Sequence, residues 1–427
     1  AGGVSLMALS LAACGSSDDG DSSSSSSSDT TTTTTTSGQS FSLTSGIDTV
    51  TGGAGNDTIN AGLNNNGSQT LQSLDTIDGG AGTDTLNVVL GTAGTVSPQL
   101  TSIESVKITS TANVTVDLLG ASSVTSVSSI GSSGTVDINN ISTTSASVLI
   151  QSTDQNHTVD FLNSAVTGTA DAATVTLSNV TGGTLTVDAA IEDVTFISNG
   201  GANTTGTTTT SANTVTVTGA ENLTLGGTLS KAETIDASAA TGKFTVTTDN
   251  TNNTTVKGGS AADTVTVTGS QAVVETIELN GGNDKVTFTA NLANADVING
   301  GDGTDTLVGT SANLAALTVT AGNANISNME TVQVSDELAS AITLKNIDSS
   351  VNTITLANVD TTAGDDITDG TARTITGPAG SLTVNLGGSE AGNQSHLGNT
   401  LTMTDTGSGT TDSLTINNKA VNSTTGN

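Results

Sequence analysis

The sequence has almost no aromatic residues: among its 427 residues there are 5 Phe, no Trp and no Tyr. Aromatic side chains supply much of the buried area of compact cores and the platforms on which sugars and bases stack. Their scarcity argues against a large-residue core and against a carbohydrate-binding cleft. Basic residues are also scarce, since 8 Lys and Arg stand against 40 Asp and Glu, a formal net charge of -32. Because such a surface repels phosphate, we predict no nucleic-acid partner.

Groups for catalysis are few. The two histidines, His157 and His396, both lie in polar, loop-like contexts, and we predict that both are at the surface. The sequence has one cysteine and lacks the H-E-x-x-H and G-x-S-x-G patterns, which leaves little from which to build a nucleophile or a general base. Paired carboxylates that cleave a polysaccharide are the minor alternative. We therefore predict that the protein is not an enzyme and has no small-molecule substrate.

The single cysteine, Cys14, ends an apolar segment of signal-peptide size. Residues 4–14 read VSLMALSLAAC, and the final Leu-Ala-Ala-Cys resembles the box of bacterial lipoproteins, in which cleavage leaves a lipid-bearing cysteine as the new N-terminus. The segment is too short to span a bilayer as a helix. We predict a signal peptide over residues 1–14 with lipidation at Cys14, the alternative being a free thiol in an ordinary signal peptide. The protein is then an outer-membrane lipoprotein at the cell surface, or extracellular, touching membrane only through its lipid.

Residues 15–40 are rich in Ser, Thr and Asp and contain little that repays the ordering of a backbone, so we predict a disordered tether. From residue 41 onward, short runs alternate between apolar and polar residues, as in 114–118, 184–191 and 353–359, and Gly, Asn, Asp and Ser separate them. This period of two predicts an all-β protein. Units that cannot bury a face alone must stack on their neighbours. The expected fold is an elongated parallel β-solenoid or β-roll-like repeat, with a chain of β-sandwich modules as the alternative.

The apolar pattern is lost near residues 200–210, so we predict two β-repeat modules, 41–205 and 206–427. A second recurring unit places a glutamate at the entry of a strand. Each such glutamate is either a solvated edge charge or a hydrogen-bonded turn residue. The five glutamates are Glu104, Glu221, Glu233, Glu275 and Glu330.

A glycine-rich nonapeptide recurs along this body. The segments 52–60 (GGAGNDTIN), 79–87 (GGAGTDTLN) and 300–308 (GGDGTDTLV) fit the pattern G-G-x-G-x-D-x-U-x, and partial copies surround Asp263 and Asp284. Glycine permits the positive φ angles of a tight turn and brings carbonyl oxygens together. The aspartate adds a carboxylate, and Ca²⁺ prefers six to eight such hard oxygen ligands. The nonapeptides therefore predict calcium-binding turns, each followed by an inward apolar residue.

On these nonapeptides the sequence resembles the RTX (repeats-in-toxin) calcium-binding family, and its Thr, Val, Asn and Gly texture is similar to that of RTX-type bacterial surface-layer proteins. The resemblance implies that turn aspartates and glycine carbonyls hold Ca²⁺ between successive coils and that calcium drives folding. The implied ligands are Asp57, Asp84, Asp305, Asp263 and Asp284, with Asp302 as an additional acid, and the turn glycines Gly53, Gly55, Gly80, Gly82, Gly301 and Gly303.

Two departures from the family modify this expectation. RTX proteins usually leave the cell by a type I route with a C-terminal signal, whereas the lipoprotein box predicts Sec export. The copies are also scattered rather than tandem, so metal is expected to brace junctions instead of every coil. Other acids lie in turns that either bind a cation or are ordinary turns. They are Asp48, Asp75, Asp365, Asp366, Asp369, Asp405 and Asp412.

These observations predict a calcium-stabilised structural protein of the cell surface that self-assembles, its partner being further copies of itself in an S-layer-like lattice or an extracellular fibre. The alternative is a monomeric, lipid-anchored β-solenoid that acts as an adhesin or a surface-display stalk. The scarcity of aromatic and Arg residues, which dominate specific binding faces, favours assembly.

Overall fold

The structure is a computed structural model. It describes residues 37–249, 252–269, 273–318, 325–336, 338–356, 373–377, 380–386, 401–404 and 413–418. Several sequence predictions lie outside the described residues: the signal peptide with Cys14, most of the tether, His396, Asp365, Asp366, Asp369, Asp405 and Asp412. No helix within the described ranges is long and apolar enough to cross a membrane.

Short strands rich in Thr, Val and Ile make up nearly all of the regular structure, because β-branched residues suit a pleated, half-buried surface. The first eighteen are β1 (Ser40–Ser42), β2 (Thr49–Thr51), β3 (Thr58–Ala61), β4 (Thr76–Asp78), β5 (Thr85–Leu90), β6 (Gly94–Val96), β7 (Gln99–Thr101), β8 (Ser105–Ser110), β9 (Val114–Asp117), β10 (Ser126–Ile130), β11 (Val136–Ile141), β12 (Ser147–Thr153), β13 (His157–Phe161), β14 (Ala172–Val180), β15 (Thr184–Val187), β16 (Asp193–Asn199), β17 (Asn203–Thr205) and β18 (Thr207–Thr209).

The following strands continue the same pattern. They are β19 (Thr214–Gly219), β20 (Leu223–Leu225), β21 (Thr234–Ala240), β22 (Phe244–Thr248), β23 (Thr255–Lys257), β24 (Thr264–Val267), β25 (Thr276–Glu278), β26 (Lys285–Phe288), β27 (Val297–Asn299), β28 (Thr306–Gly309), β29 (Ile326–Ser327), β30 (Thr331–Val334), β31 (Ile342–Thr343), β32 (Thr353–Leu356), β33 (Arg373–Thr376), β34 (Leu382–Leu386), β35 (Leu401–Thr404) and β36 (Leu414–Asn418). A short α-helix, α1 (Ser311–Ala316), follows β28, and a 3-10 turn occupies Leu344–Asn346.

The strands pair in parallel and form a β-solenoid. The largest sheet has 14 strands, in the order β1-β3-β5-β8-β10-β12-β14-β16-β19-β21-β23-β25-β27-β29. A 10-stranded sheet runs β17-β20-β22-β24-β26-β28-β30-β32-β34-β36, a 6-stranded sheet runs β18-β15-β13-β11-β9-β6, and two 3-stranded sheets are β2-β4-β7 and β31-β33-β35. The predicted all-β solenoid is confirmed. The alternative, sandwiches of antiparallel sheets, is not the architecture of the described strands.

Side chains alternate between the core and the surface along each strand. In the 14-stranded sheet Ile59 pairs with Leu86 and Leu86 with Val106, and all three are fully buried. Medium-sized aliphatic residues fill most of this core, and Phe161, Phe196, Phe244 and Phe288 are its largest fully buried side chains. Stacked coils therefore build a continuous core without the aromatic residues that the sequence lacks.

Threonine forms a column on the outer face of the 10-stranded sheet. This column explains part of the threonine content, because a β-branched side chain with a hydroxyl suits an outward strand position. Lys285 interrupts the column between β24 and β28. Its threonines, in register from strand to strand, are Thr204, Thr224, Thr245, Thr264, Thr306, Thr331, Thr353, Thr383 and Thr415.

The predicted module boundary at residues 205 and 206 coincides with a change of sheet. Strand β18 is the last of the 6-stranded sheet, and β17 is the first of the 10-stranded sheet. Between them, the N–H of Gly206 donates to the carbonyl of Gly183 at 2.7 Å. The 14-stranded sheet passes this point without interruption through β16 and β19. The 6-stranded sheet therefore gives way to the 10-stranded sheet at this point, while the 14-stranded sheet is continuous. The division into two modules stays a prediction.

His157 is not at the surface, so that prediction is wrong. Its side chain is 2% exposed; Nδ1 lies 2.9 Å from the Gln155 carbonyl oxygen and Nε2 lies 2.9 Å from Ser129 Oγ. Burial lowers the pKa of His157. The polar residues before it form the turn, whereas His157 already begins β13, in which His157, Val159 and Phe161 all point inward.

Candidate metal centre

Each nonapeptide aspartate lies directly before a strand. Asp57 and Asp84 precede β3 and β5, which are neighbours in the 14-stranded sheet, and Asp263, Asp284 and Asp305 precede β24, β26 and β28, which are successive strands of the 10-stranded sheet. Copies that are scattered along the chain are therefore stacked in space, because their spacing is one coil: 27 residues from Asp57 to Asp84 and 21 residues from Asp263 to Asp284.

Hydrogen bonds join the stacked aspartates into two acid columns. In the first acid column the N–H of Asp57 donates to Asp84 Oδ1 at 2.6 Å, and the N–H of Asp84 donates to Glu104 Oε2 at 2.7 Å. The second acid column has the same contacts between neighbouring members, with distances of 2.6, 2.7 and 2.9 Å. Its members, in order, are Asp263, Asp284, Asp305 and Glu330. The aspartates of both columns are at most 1% exposed.

The strand-entry glutamates divide between the alternatives that the sequence left open. Glu104 and Glu330 accept turn hydrogen bonds and end the two columns. Glu233 is exposed, and Glu221 is partly exposed. Glu275 fits neither alternative, because its side chain is fully buried without a hydrogen-bond partner.

The hydrogen bonding of the second carboxylate oxygen, Oδ2, differs between the first aspartate of each column and the aspartates that follow it. Asp57 Oδ2 accepts the Gly53 N–H at 2.6 Å, and Asp263 Oδ2 accepts the Gly259 N–H at 2.6 Å. In the later members Oδ2 is buried and has no hydrogen-bond partner; these are Asp84, Asp284 and Asp305. A buried polar group left unpaired costs about 1–3 kcal/mol, and more when it is charged. The unpaired oxygens therefore point to a ligand that is a cation.

The backbone conformation of the turn glycines also differs between the first turn, that of Asp57, and the later turns of Asp84 and Asp305. Gly80 and Gly82 have φ angles of 90° and 137°, and Gly301 and Gly303 have 93° and 148°, as the nonapeptide pattern predicts. Gly53 does not adopt a left-handed φ, and its N–H instead points at Asp57. The stacked turns also approach closely, since a Cβ at Gly80 would overlap the Gly53 carbonyl. Only glycine fits these positions.

Carboxylate and carbonyl oxygens converge beside the first glycine of the Asp57, Asp84, Asp263 and Asp305 turns, namely Gly52, Gly79, Gly258 and Gly300. A Cβ placed on Gly79 would overlap both Asp84 Oδ2 and the Ser102 carbonyl oxygen. At Gly300 the same atom would overlap Asp305 Oδ2 and the Asn328 carbonyl oxygen. Hard oxygens of these two kinds are the ligands that Ca²⁺ prefers, so the residues present fit this ion. Within the ranges that the structure covers, no three His, Cys, Asp or Glu side chains form a metal-holding group, so backbone carbonyls would supply most of the ligands.

The electrostatics of the columns favour a bound cation. Burial raises the pKa of Asp84, and neighbouring carboxylates, including Asp57 and Glu104, add to the rise. Burial together with the charges of Asp263 and Asp305 raises the pKa of Asp284 to about 7. Burial also raises the pKa of Asp305. Acids stacked one coil apart repel one another when ionised, and either protons or a cation relieve that repulsion.

Three predicted acids lie apart from the columns. The Asp302 side chain is exposed, although its backbone joins the stack: its N–H donates to the Asn280 carbonyl at 2.7 Å. Asp75 is buried and accepts the Asp48 N–H at 2.9 Å on the 3-stranded sheet β2-β4-β7. The structure thus assembles Asp57, Asp84, Asp263, Asp284 and Asp305 with their glycines, and it places Asp302, Asp48 and Asp75 elsewhere.

Comparison with known families agrees with this geometry. The family described as RTX calcium-binding nonapeptide repeat (4 copies) matches residues 42–67, 74–91 and 292–313. A search of curated proteins gives no match. Repeats of this family bind calcium, and they are typical of secreted and extracellular proteins. The matched segments include the turns of Asp57, Asp84 and Asp305, whereas the turns of Asp263 and Asp284 join the second acid column through the structure alone.

RTX calcium-binding repeats in a parallel β-solenoid define a class of protein: calcium-binding, extracellular and structural.

Proposed function

We propose that the protein is a structural, non-enzymatic cell-surface protein whose copies self-assemble into an S-layer-like lattice or an extracellular fibre, with calcium stabilising both the coils and the assembly. The observation that carries the proposal is the last described strand of the 10-stranded sheet. In β36, Leu414 and Ile416 are 50% and 56% exposed, whereas their register partners Leu382 and Val384 in β34 are 6% and 0% exposed.

Among the described strands none pairs with the outer side of β36, so the apolar positions of the solenoid core continue into the last strand that the structure describes. An open strand edge presents unpaired backbone N–H and C=O groups together with these apolar side chains, and a second copy satisfies both by adding a strand. Edge contact of this kind extends a fibre from one copy to the next.

A second apolar feature offers a lateral contact. Ile47 and Leu74 directly precede Asp48 and Asp75, which are joined across one coil, so the two side chains occupy equivalent positions on successive coils. They are 67% and 68% exposed. Repeated apolar positions along a solenoid favour side-by-side contact between copies, and such contact turns fibres into a lattice.

Calcium has a second role in this proposal. Each copy carries a net charge of -32, so copies repel one another at low ionic strength. Divalent cations bound to the acid columns lower that charge, and cations held between acidic surfaces bridge them. We further propose that lipid on Cys14 anchors the assembly to the outer membrane. The extracellular character of RTX repeats supports this location.

The test uses the full chain in calcium-free buffer, to which calcium or, as a control, magnesium is added while light scattering and electron microscopy follow particle size. Ordered particles that grow with calcium and dissolve with chelator support the proposal. The variant Ile416→Ser is expected to abolish growth, and Val297→Ser, a matched change at an exposed strand residue away from the edge, is expected to leave it intact. Folded monomers at every calcium concentration would instead favour the lipid-anchored adhesin or display stalk.

A further inference from the structure

Two buried acids outside the nonapeptides reproduce the geometry of the acid columns. Glu275 directly precedes β25 and Asp296 directly precedes β27, and these strands are neighbours in the 14-stranded sheet. The N–H of Glu275 donates to Asp296 Oδ1 at 3.0 Å, the same contact that joins Asp284 to Asp305 at 2.7 Å. No glycine lies within the four residues before either acid.

The Glu275 carboxylate makes no hydrogen bond of ordinary length and angle, although the Thr254 backbone N–H acts on it. Its side chain is 0% exposed, and Oε1 and Oε2 are both buried and unpaired. Asp296 is 1% exposed, and each of its oxygens accepts one backbone N–H, from Glu275 at 3.0 Å and from Ala293 at 2.8 Å. Each Asp296 oxygen therefore keeps a lone pair for a further partner.

The surroundings add negative charge to this buried pair. Asp296 and Asp249 both act electrostatically on Glu275. An ionised carboxylate that is buried without a well-aligned donor is unfavourable, a second acid beside it increases the cost, and the Thr254 backbone N–H offsets only part of it. Such a group either takes up a proton or binds a cation. The Glu275 and Asp296 carboxylates lie on neighbouring coils, as the carboxylates of the acid columns do.

We propose that Glu275 and Asp296 hold a divalent, oxygen-preferring cation, Ca²⁺ under extracellular conditions, in a site that lacks the glycine-rich turn. The coils from 255 to 308 then carry cations at two of their sheets. The nonapeptide aspartates serve the 10-stranded sheet, and Glu275 with Asp296 serves the 14-stranded sheet. An ion at the second position ties β25 to β27 where no nonapeptide is present. This site is independent of whether copies assemble.

Equilibrium dialysis of the full chain against calcium tests the site by counting bound ions. Glu275→Gln removes the charge with little change of shape and is expected to bind one ion fewer per chain than the wild type. Glu278→Gln makes the same change at the exposed end of β25 and is expected to bind the wild-type number. Asp296→Asn, whose amide oxygen can still accept the Glu275 N–H, is expected to lose the same ion and serves if Glu275→Gln does not fold.

The number of bound ions also distinguishes the Glu275 and Asp296 site from the nonapeptide sites. A wild-type count in both Glu275→Gln and Asp296→Asn would overturn the proposal and mean that Glu275 is a protonated core residue. In that event Glu275→Gln would also raise the stability of the calcium-free protein at neutral pH without changing calcium binding. If Asp305→Asn lowers the count while these two variants do not, the nonapeptide sites stand and this one falls.

Discussion

The backbone N–H of Asp284 donates a 2.7 Å hydrogen bond to Oδ1 of Asp305, a residue 21 positions further along the chain and one coil away in space. Because this contact uses Oδ1, Oδ2 of Asp305 is left buried and unpaired. The same arrangement recurs at Asp84 and Asp284. The acids that hold the coils in register are therefore the acids that need a cation, which couples calcium binding to solenoid stability.

Asp305→Asn is expected to weaken calcium binding. Its effect on the free energy of unfolding is expected to be opposite in sign without and with calcium. The amide oxygen still accepts the Asp284 N–H, but the unpaired charge is gone. Without calcium we expect the variant to be as stable as the wild type or more so, by about 1–3 kcal/mol. With saturating calcium it should be less stable than the wild type. Urea unfolding in calcium and in chelator measures both, and Asp302→Asn, an equal charge change at an exposed acid, should match the wild type in each.

Gly303→Ala is expected to destabilise the protein both in calcium and in chelator. Gly303 has a φ of 148°, and a Cβ there would overlap the Gly282 carbonyl oxygen. Backbone strain of this kind costs about 1–3 kcal/mol, to which the overlap adds. The control is Gly62→Ala, because a Cβ at Gly62 has no atom within 4 Å. Thermal melts that are equal for both variants would show that the stacked turns are looser than the structure has them.

The calcium-free protein should lose stability as pH rises. Burial raises the pKa of Asp284 from 3.8 to about 7 and that of Glu275 from 4.5 to about 7. Because the folded state holds these protons more tightly than the unfolded state, their contribution is complete below about pH 4 and is lost as pH rises through 7. Melting temperatures in chelator should fall between pH 5 and pH 8, and Asp284→Asn should flatten the fall. Added calcium should remove much of this decrease in melting temperature. A decrease that calcium leaves unchanged would argue against cations at these acids.

His157 is expected to make stability depend on pH in the opposite direction, and it provides an independent check on the fold. Burial lowers its pKa below 6.5, so its contribution is present above pH 6.5 and is lost as pH falls. His157→Ala also leaves Ser129 Oγ without the ring nitrogen 2.9 Å away. Because Ser129 Oγ keeps Ser132 Oγ 3.0 Å away, we expect a loss of about 0.5–1.5 kcal/mol from the missing hydrogen bond, with more from the cavity. Calcium affinity should be unchanged, since β13 lies on the 6-stranded sheet and carries no acid column. A surface histidine would show neither effect.

The sequence predicted the solenoid, the nonapeptide turns and the positive φ of Gly80 and Gly303, because strand alternation and glycine punctuation are local signals. It did not predict that Asp263, Asp284 and Asp305 stack directly, since that depends on a coil length which irregular turns conceal. Glu275 and Asp296 carry no glycine signal at all; their only trace is an acid directly before an apolar alternation. His157 was misplaced because its polar neighbours hide the first inward position of a strand.

The central claim is that the two acid columns bind calcium and thereby stabilise the solenoid. Isothermal titration calorimetry of the full chain with calcium, repeated for an Asp84→Asn, Asp305→Asn double variant, tests it most directly. The account predicts saturable binding by the wild type at sub-millimolar to millimolar calcium, the range of extracellular modules, and fewer bound ions in the double variant. Equal binding by both proteins, or no saturable binding by the wild type, would contradict it.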